Sequence, residues 1–578
     1  MTYRWTLRTV DNPDAVAPLQ EQLNNLPEAL ARALVLRGID TFDAARRYFR
    51  PSLDALHDPF LMQDMDAAAD RLARAVRQRE RVLVYGDYDV DGTTSTTLMT
   101  HFLRSMGVEA DFFIPNRFTH GYGLHRDGID HAAAWGARLV LALDCGITAH
   151  DEARYARDKG VDLIICDHHT ATDALPDAVA VLDPKRPTCP YPFKELSGCG
   201  VTFKLAQATL TRLDEPPDRA LPYLDLVAVS TASDIVPLHG ENRVLMREGF
   251  EQLRKTMRLG LRALAEQAGL DLDNLTVDRL VFGVGPRINA AGRMGEASRA
   301  VQLLLSDDPA EAAELTQRLE KANQQRRALD RQMQAQATRQ AEIQLGGKMR
   351  HALVLHEADW HQGVVGIVAS RIVERFHRPA VVLCTTNGEV KGSARSITGV
   401  NIYDALKACE DLLTRFGGHD YAAGLTLPEA NIPALRDRLD AVVGEIMTTE
   451  MMTPTIEYDA LLDLHAFDDR FWNVLKQFAP FGPTNMRPIF HARDLAVVGR
   501  PRVVGNGTHL KLNVRPHHPA EGRSRPVIAF GHGEKLPMVQ AAQREGHPLE
   551  MLFSIEENTW QGQTTIQLRA RDLRVQEE

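Results

Sequence analysis

The feature that most limits what this chain can become is a pattern repeated between about Arg81 and Asp183. A short apolar run ends in a polar cluster, and a helix-like segment follows. The runs are RVLVYGD, ADFFIP, ARLVLALD, VDLIICD and AVAVLDP. They are apolar throughout rather than alternating, as strands are when crossover helices cover both faces of a parallel sheet. The pattern predicts an α/β domain with a doubly wound parallel sheet. Open sheets of this kind hold their ligands outside the carboxyl ends of the strands, where these polar clusters fall.

At 578 residues the chain has room for about three to four domains. Near Pro309 the texture changes. Asp308 can cap a helix with Pro309 at its first position and Glu311 three residues after the cap. Leu315, Leu319, Ala322, Leu329 and Met333 continue a helical stripe, and Gly346-Gly347 offers a stop. Unbroken, such a helix runs about 55 Å at 1.5 Å per residue and would connect domains. HALVLHEADW, GVVGIVASRIVERF, PAVVLCTT and KGSARSI then read as a second, smaller α/β domain. From Thr455 onward short strands with turn signals and little helix predict a small five-stranded barrel of the OB type. The expected architecture is α/β multidomain: an N-terminal extension over 1–60, a catalytic domain over 61–302, a long connecting helix over 303–347, a smaller α/β domain over 348–452 and an OB-like barrel over 453–578.

Composition matters at four points. A chain with 44% hydrophobic and 25% charged residues is ordinary globular protein, which argues against disorder. The first residues lack an export signal, and no run approaches the roughly 20 apolar residues of a membrane span, so a cytoplasmic protein is expected. The six cysteines are dispersed without a CxxC pair, which reads as reduced structural thiols. A formal net charge of −10 hides local contrast: from Arg487 to Arg525 there are eight Lys or Arg against two acids.

The polar clusters carry the chemistry. YGDYDVDGTTS sets Asp87, Asp89 and Asp91 at alternate positions after an apolar run, so that Asp87 and Asp89 point the same way if the segment is extended. The bland reading is a solvated acidic turn with Asp91-Gly92 at the bend. Three further clusters weigh against it: Asp144 in LVLALDCGIT, Asp167, His168 and His169 in LIICDHHTA, and Asp234 in VSTASDIVPL. Each follows an apolar run that reads as a strand or a buried segment. Mixed imidazole and carboxylate ligands suit manganese or magnesium.

Asp-Tyr-Asp at 87–89, Asp144, Asp-His-His at 167–169 and Asp234, in that order, resemble the DHH phosphoesterase superfamily, and GGHDYAAG at 417–424 is similar to the signature of its DHHA1 domain. With the β-rich C-terminal region, the likeness covers nearly the full chain and points to the bacterial single-strand-specific exonucleases of that superfamily. The resemblance implies that Asp87, Asp89, Asp144, His168 and Asp234 coordinate two divalent ions, Mn2+ or Mg2+, with Asp144 as the bridge. It leaves open whether His169 contacts the scissile phosphate or orients a ligand. Asp91 and Asp167 are read as supports for the loops.

GVGPRINAAGRMGEA at 283–297 reads as a glycine-rich phosphate cradle in which Arg287 and Arg293, beside Asn289, offer forked donors. By resemblance, Ser393 and Arg395 of KGSARSI, with Arg117 and Arg287, bind the 5′ phosphate of a DNA strand, and His419 is placed to contact substrate. Phe530 and Trp560 are candidate stacking residues in the barrel, with a core role as the commoner reading. What the resemblance implies is a 5′ to 3′ exonuclease on single-stranded DNA, working as a monomer in repair and recombination with a helicase and a single-strand-binding protein, and away from membranes. Two rival readings keep the same motifs: a phosphodiesterase for short oligonucleotides, cyclic dinucleotides or a nucleotide bisphosphate, and an inert DNA-binding scaffold.

Overall fold

A computed structural model describes residues 3–172, 174–347, 349–386, 388–517, 523–560 and 563–576. It divides into two compact units: one of Ala55–Val236 with Gly240–Thr453, the other of Met1–Asp54, Pro237–His239 and Pro454–Glu578.

In the larger unit all five predicted runs are strands of one parallel sheet. Their order is Ala110–Phe113, Val82–Gly86, Leu139–Leu143, Asp162–Cys166, Ala180–Leu182. The central strands are buried along their full length because helices cover both faces. The chain runs outward on one side of Val82–Gly86 and then returns to its other side. The sheet therefore has its topological switch point between Val82–Gly86 and Leu139–Leu143, where doubly wound folds open a crevice. The fourth acidic cluster arrives differently: Asp234 follows a buried helix, Leu224–Ser233, rather than a strand.

The predicted long helix is continuous over Pro309–Gly347. Asp308 caps it by accepting the Ala310 N–H at 2.7 Å. Its two halves belong to different neighbours. The first half holds Glu320 in an ion pair with Arg287 of the catalytic domain. The second half docks on the smaller α/β domain, whose sheet has the order Arg415–His419, Ala422–Leu427, Glu389–Arg395, Ala380–Thr386, Leu353–His356. Leu353–His356 is an edge strand with unpaired backbone groups. The Gln340 amide exchanges two hydrogen bonds with His356, and Gln344 donates to the Val354 carbonyl at 2.8 Å. Glutamines of the helix thus stand in for a missing strand and close the edge.

In the smaller unit the five long C-terminal strands close on themselves, because Phe490–Val504 pairs with both His509–Pro516 and Leu549–Trp560. This is the expected barrel. The N-terminal residues are part of it: Leu30, Leu34 and Tyr48 share one core with Phe471, Phe478, Phe490 and Phe553. The Tyr48 hydroxyl donates to Asn485 at 2.8 Å. Part of the basic run is used internally, since Arg525 lies over the Phe467 ring and Arg487 over Phe481. Phe530 is exposed beside His509 and Arg569. The side chain of Trp560 lies outside the described residues. All six cysteines are buried free thiols. Among the described residues no helix is long and apolar enough to cross a membrane.

Candidate metal centre and phosphate grip

Asp87 leaves the strand Val82–Gly86 at the switch point, and Asp144 leaves Leu139–Leu143 beside it. Asp89 is extended and caps the helix Val90–Ser105, accepting the Gly92 N–H at 3.1 Å. Asp89 is thus extended, and Asp91 already lies in the first helical turn. Gly92 makes no bend. A Cβ there would sit 2.4 Å from the Asp87 nitrogen, so the glycine lets the helix start against the loop it supports.

Asp87, Asp89 and Asp144 bring ligand atoms within 4.8 Å of one another, as do Asp144, His168 and His169, and Asp91, His168 and Asp234. Asp144 and His168 each belong to two of these groups. His168 Nε2 lies 3.2 Å from Asp144, 3.5 Å from Asp234 and 3.6 Å from Asp91. Asp87 Oδ1, Asp144 Oδ1 and both ring nitrogens of His168 are buried without a hydrogen bond. Buried polar atoms are nearly always paired, so the orphaned oxygens of Asp87 and Asp144 with the orphaned Nε2 of His168 fit a divalent cation. Burial keeps the His168 imidazole neutral, the form that ligates.

Asp91 and Asp167 have other duties. Asp91 accepts the Gly198 and Cys199 N–H groups at 2.6 and 2.8 Å and the Ser230 hydroxyl at 2.7 Å, so it plugs the start of the helix Gly198–Arg212. Asp167 accepts from the Ile147 and His168 backbone at 2.9 and 2.8 Å and from His169 Nδ1 at 2.7 Å, tying together the loops of Asp144 and His168. Burial opposes its charge, yet the His169 contact outweighs that and holds Asp167 at about 2. Burial likewise opposes protonation of His169, and Asp167 raises it to about 9. Tyr122, which sequence reasoning passed over, puts its hydroxyl 3.2 Å from the His169 ring. Its flanking glycines, Gly121 and Gly123, both at positive φ, were the available signal.

Burial first, and neighbouring carboxylates second, push Asp87, Asp144 and Asp234 well above the usual carboxylate range. Groups with raised folded values stabilise the fold below their unfolded pKa and lose that contribution as pH climbs through the folded value. The metal-free protein should therefore weaken as pH rises through this window. A bound cation must displace those protons, so Mn2+ affinity should increase with pH by up to about tenfold per unit for each proton released. Thermal melts of the metal-free protein across pH would read the first effect and titration calorimetry in buffers of different ionisation enthalpy the second; a stability that does not fall, or an affinity flat with pH, would contradict the corresponding expectation.

A second His/Asp group, His120, His125 and Asp127, also brings its ligand atoms together. Hydrogen bonding argues against a cation there. His120 Nδ1 accepts the Asn116 N–H at 2.8 Å, so its Nε2 carries the proton toward Asp127 at 3.1 Å, and His125 Nδ1 accepts the Asp127 N–H. The lone pairs a metal needs are occupied. This network instead staples the loop that carries Arg117 and Tyr122.

The basic residues sort into two sets. Arg117 lays its guanidinium 4.2 Å over the ring of Tyr88, between Asp87 and Asp89. Arg293 donates to the Gly363 carbonyl at 3.0 Å, and burial beside Arg117, Arg326 and Arg395 pushes it down to about 10. Ser393 accepts from Arg395 at 2.6 Å, and both back onto Gly366 in the first turn of the helix Val365–Phe376. Crowded cations beside a helix N-terminus make a receptor for a phosphate. His419 lies exposed on the same sheet, across Ala422 from Arg395.

Arg287 corrects the sequence reading. It is buried, donates to the Gly283 and Gln267 carbonyls and pairs with Glu320 at 2.7 Å, so its donors are spent inside the protein. Within 283–297, Gly285–Arg293 is a helix bearing Asn289, half-buried. Its glycines serve packing. A Cβ on Gly292 would lie 2.3 Å from the Tyr88 carbonyl, which shows how closely this helix props the Asp87–Asp89 loop.

Comparison with known proteins accounts for this assembly. Residues 81–231 match the DHH family N-terminal domain, 347–445 the DHHA1 domain and 458–572 the RecJ OB domain. The chain is 38% identical to the single-stranded-DNA-specific exonuclease RecJ of Bacillus subtilis over 99% of its own length and 71% of that protein's. It is 36% identical to the Salmonella typhimurium enzyme of the same name over 95% and 96% of the two chains. RecJ of Thermus thermophilus, solved in complex with Mn2+, superposes with a TM-score of 0.84 at 32% identity, covering 100% of this chain and 80% of that one. With every domain matched and the likeness running the length of the chain, this protein belongs to the RecJ family.

Proposed function

We propose that the chain is a metal-dependent exonuclease that degrades single-stranded DNA from its 5′ end to 5′ mononucleotides. The observation that carries the reading is the meeting of two features in one unit: orphaned ligand atoms of Asp87, Asp144 and His168 at the switch point, and the cations Arg117, Arg293 and Arg395 beside them. Asp87, Asp89, Asp144, His168 and Asp234 would hold two ions, Mn2+ or Mg2+, with Asp144 shared. When bound, such ions lower the pKa of water and offset charge at phosphorus.

The chain's own residues do the rest. Asp167 and Asp91 hold the ligand loops in place. His169, steadied by Asp167, donates a hydrogen bond from its other ring nitrogen to a non-bridging oxygen. Ser393, Arg395 and the first turn of Val365–Phe376 grip a terminal phosphate, and Arg117 and Arg293 fix the next one. Such contacts orient a strand without reading its sequence. Anchoring the 5′ phosphate sets the polarity. We place the enzyme in the cytoplasm as a monomer, in repair and recombination, on strands supplied by a helicase and coated by single-strand-binding protein.

A 5′-phosphorylated oligonucleotide labelled at either end, incubated with Mn2+ or Mg2+, tests this: mononucleotides should leave the 5′ end first, and loss from the 3′ end would refute the polarity. Arg395→Ala removes a charge-assisted contact of roughly 1.5–3 kcal/mol, so KM for 5′-phosphorylated strands should rise about 10- to 100-fold. The same variant should treat 5′-phosphate and 5′-hydroxyl ends alike.

A further inference from the structure

Phe118 and His361 form a contact that the metal centre and phosphate grip do not require. Their rings meet edge to face at 5.7 Å and 88°. Phe118 belongs to the catalytic domain and His361 to the loop that opens the helix Val365–Phe376, both within the larger unit. Each is anchored. The Asn116 side chain accepts the Phe118 N–H at 2.9 Å and donates to the Gly295 carbonyl at 3.0 Å, and a Cβ on Gly295 would press on the Phe118 ring at 3.3 Å. His361 Nδ1 accepts the Gly363 N–H at 3.1 Å, and Gly363 in turn accepts from Arg293. Burial lowers the His361 pKa, so the ring is neutral and its edge contact costs no charge.

The positions at the two ends give the contact its meaning. Phe118 adjoins Arg117, which lies on Tyr88 between Asp87 and Asp89. His361 stands five residues before Gly366, which backs Ser393 and Arg395. One end therefore touches the wall that carries the ligand loop, the other the wall that carries the anion donors.

We propose that the Phe118–His361 contact is a strut that fixes the separation of these two walls and so sets how wide a nucleic acid can reach the metal ligands. It rests on the exonuclease reading above and deepens it: the residues decide single strand against duplex, while Ser393 and Arg395 decide which end is held. Aromatic edge-to-face pairs are modest in energy but rigid in geometry, which suits a spacer.

The test uses a hairpin with a 5′-phosphorylated single-stranded tail and a blunt-ended hairpin, with each variant's rates normalised to its own rate on a plain single strand. The wild type should shorten the tail and halt at a fixed distance from the duplex. Phe118→Ala and His361→Ala should each halt at least one nucleotide nearer and raise the relative rate on the blunt hairpin severalfold. The double variant should do no more than either alone, because both lose the same contact. Unchanged halting positions in variants with wild-type melting temperatures would overturn the proposal, as would a shift confined to one of the two variants. A wild type that shortens no tail at all would instead overturn the exonuclease reading.

Discussion

Asp144→Asn is expected to lose metal-dependent turnover by far more than the roughly 10- to 100-fold that follows from removing a group that only orients a ligand. It should also melt at a higher temperature than the wild type when no metal is present. The two effects share a cause. Asp144 is 2% exposed, its Oδ1 has no hydrogen bond, and it faces Asp87, Asp89, Asp91 and Asp234. Without a cation these groups repel one another and resist ionising. An amide keeps the shape and removes one charge. Asparagine is the right replacement because the residue sits at φ 60°, a region that Asn tolerates and most side chains do not. Mn2+ at about 100 times its Kd stabilises a binding protein by roughly 2.7 kcal/mol, and that increment should vanish in the variant. Differential scanning fluorimetry with and without Mn2+, beside a nuclease assay, reads all three. A variant that stays active, or that is still stabilised by Mn2+, would remove Asp144 from the metal site.

The sheet and the gathering of the candidate ligands were legible because strands buried on both faces leave an unmixed apolar run, and because each run hands its polar residue to one edge. Asp234 was legible as a residue but not by its carrier, since the helix Leu224–Ser233 is buried on nearly all sides and so shows neither the helix nor the strand period. Arg287 misled for a related reason. An arginine in a glycine-rich stretch looks like a phosphate donor until its partner is known, and Glu320 lies 33 residues away on another helix. Gly292 of that stretch marks a close approach, but to the Tyr88 backbone rather than to a ligand. The core that Leu30, Leu34 and Tyr48 share with the barrel joins residues more than 400 positions apart. No local period reports such a pairing, so the first 60 residues read only as an extension. Phe118 and His361 were invisible for the same reason: each is an ordinary loop residue until the fold sets them face to face.

Gly198→Ala offers the most specific test of how the metal ligands are held. Gly198 opens the helix Gly198–Arg212, and glycine at such a position usually costs up to about 1 kcal/mol against alanine, so the exchange would ordinarily stabilise. The structure predicts the reverse. An added Cβ would stand 2.8 Å from Asp144 Cβ, 2.9 Å from its Oδ1 and 3.1 Å from its Cα. Asp144 cannot give way easily, because its N–H is bonded to the Cys166 carbonyl at 2.8 Å and its backbone is already left-handed. The helix cannot retreat either, since the Gly198 and Cys199 N–H groups are held by Asp91. Whichever side moves, Asp144 shifts against His168, and a misplacement near 1 Å can cost about 100-fold in rate. Gly200→Ala is the control on the same helix. Its Cβ would meet Leu196 and the Ser197 hydroxyl no closer than 3.4 Å, an ordinary contact. The expected result is a loss of about two decades in kcat with weaker Mn2+ binding for Gly198→Ala, and near wild-type values for Gly200→Ala. Equal activities in the two variants would mean that Asp144 does not have to stand where the fold puts it.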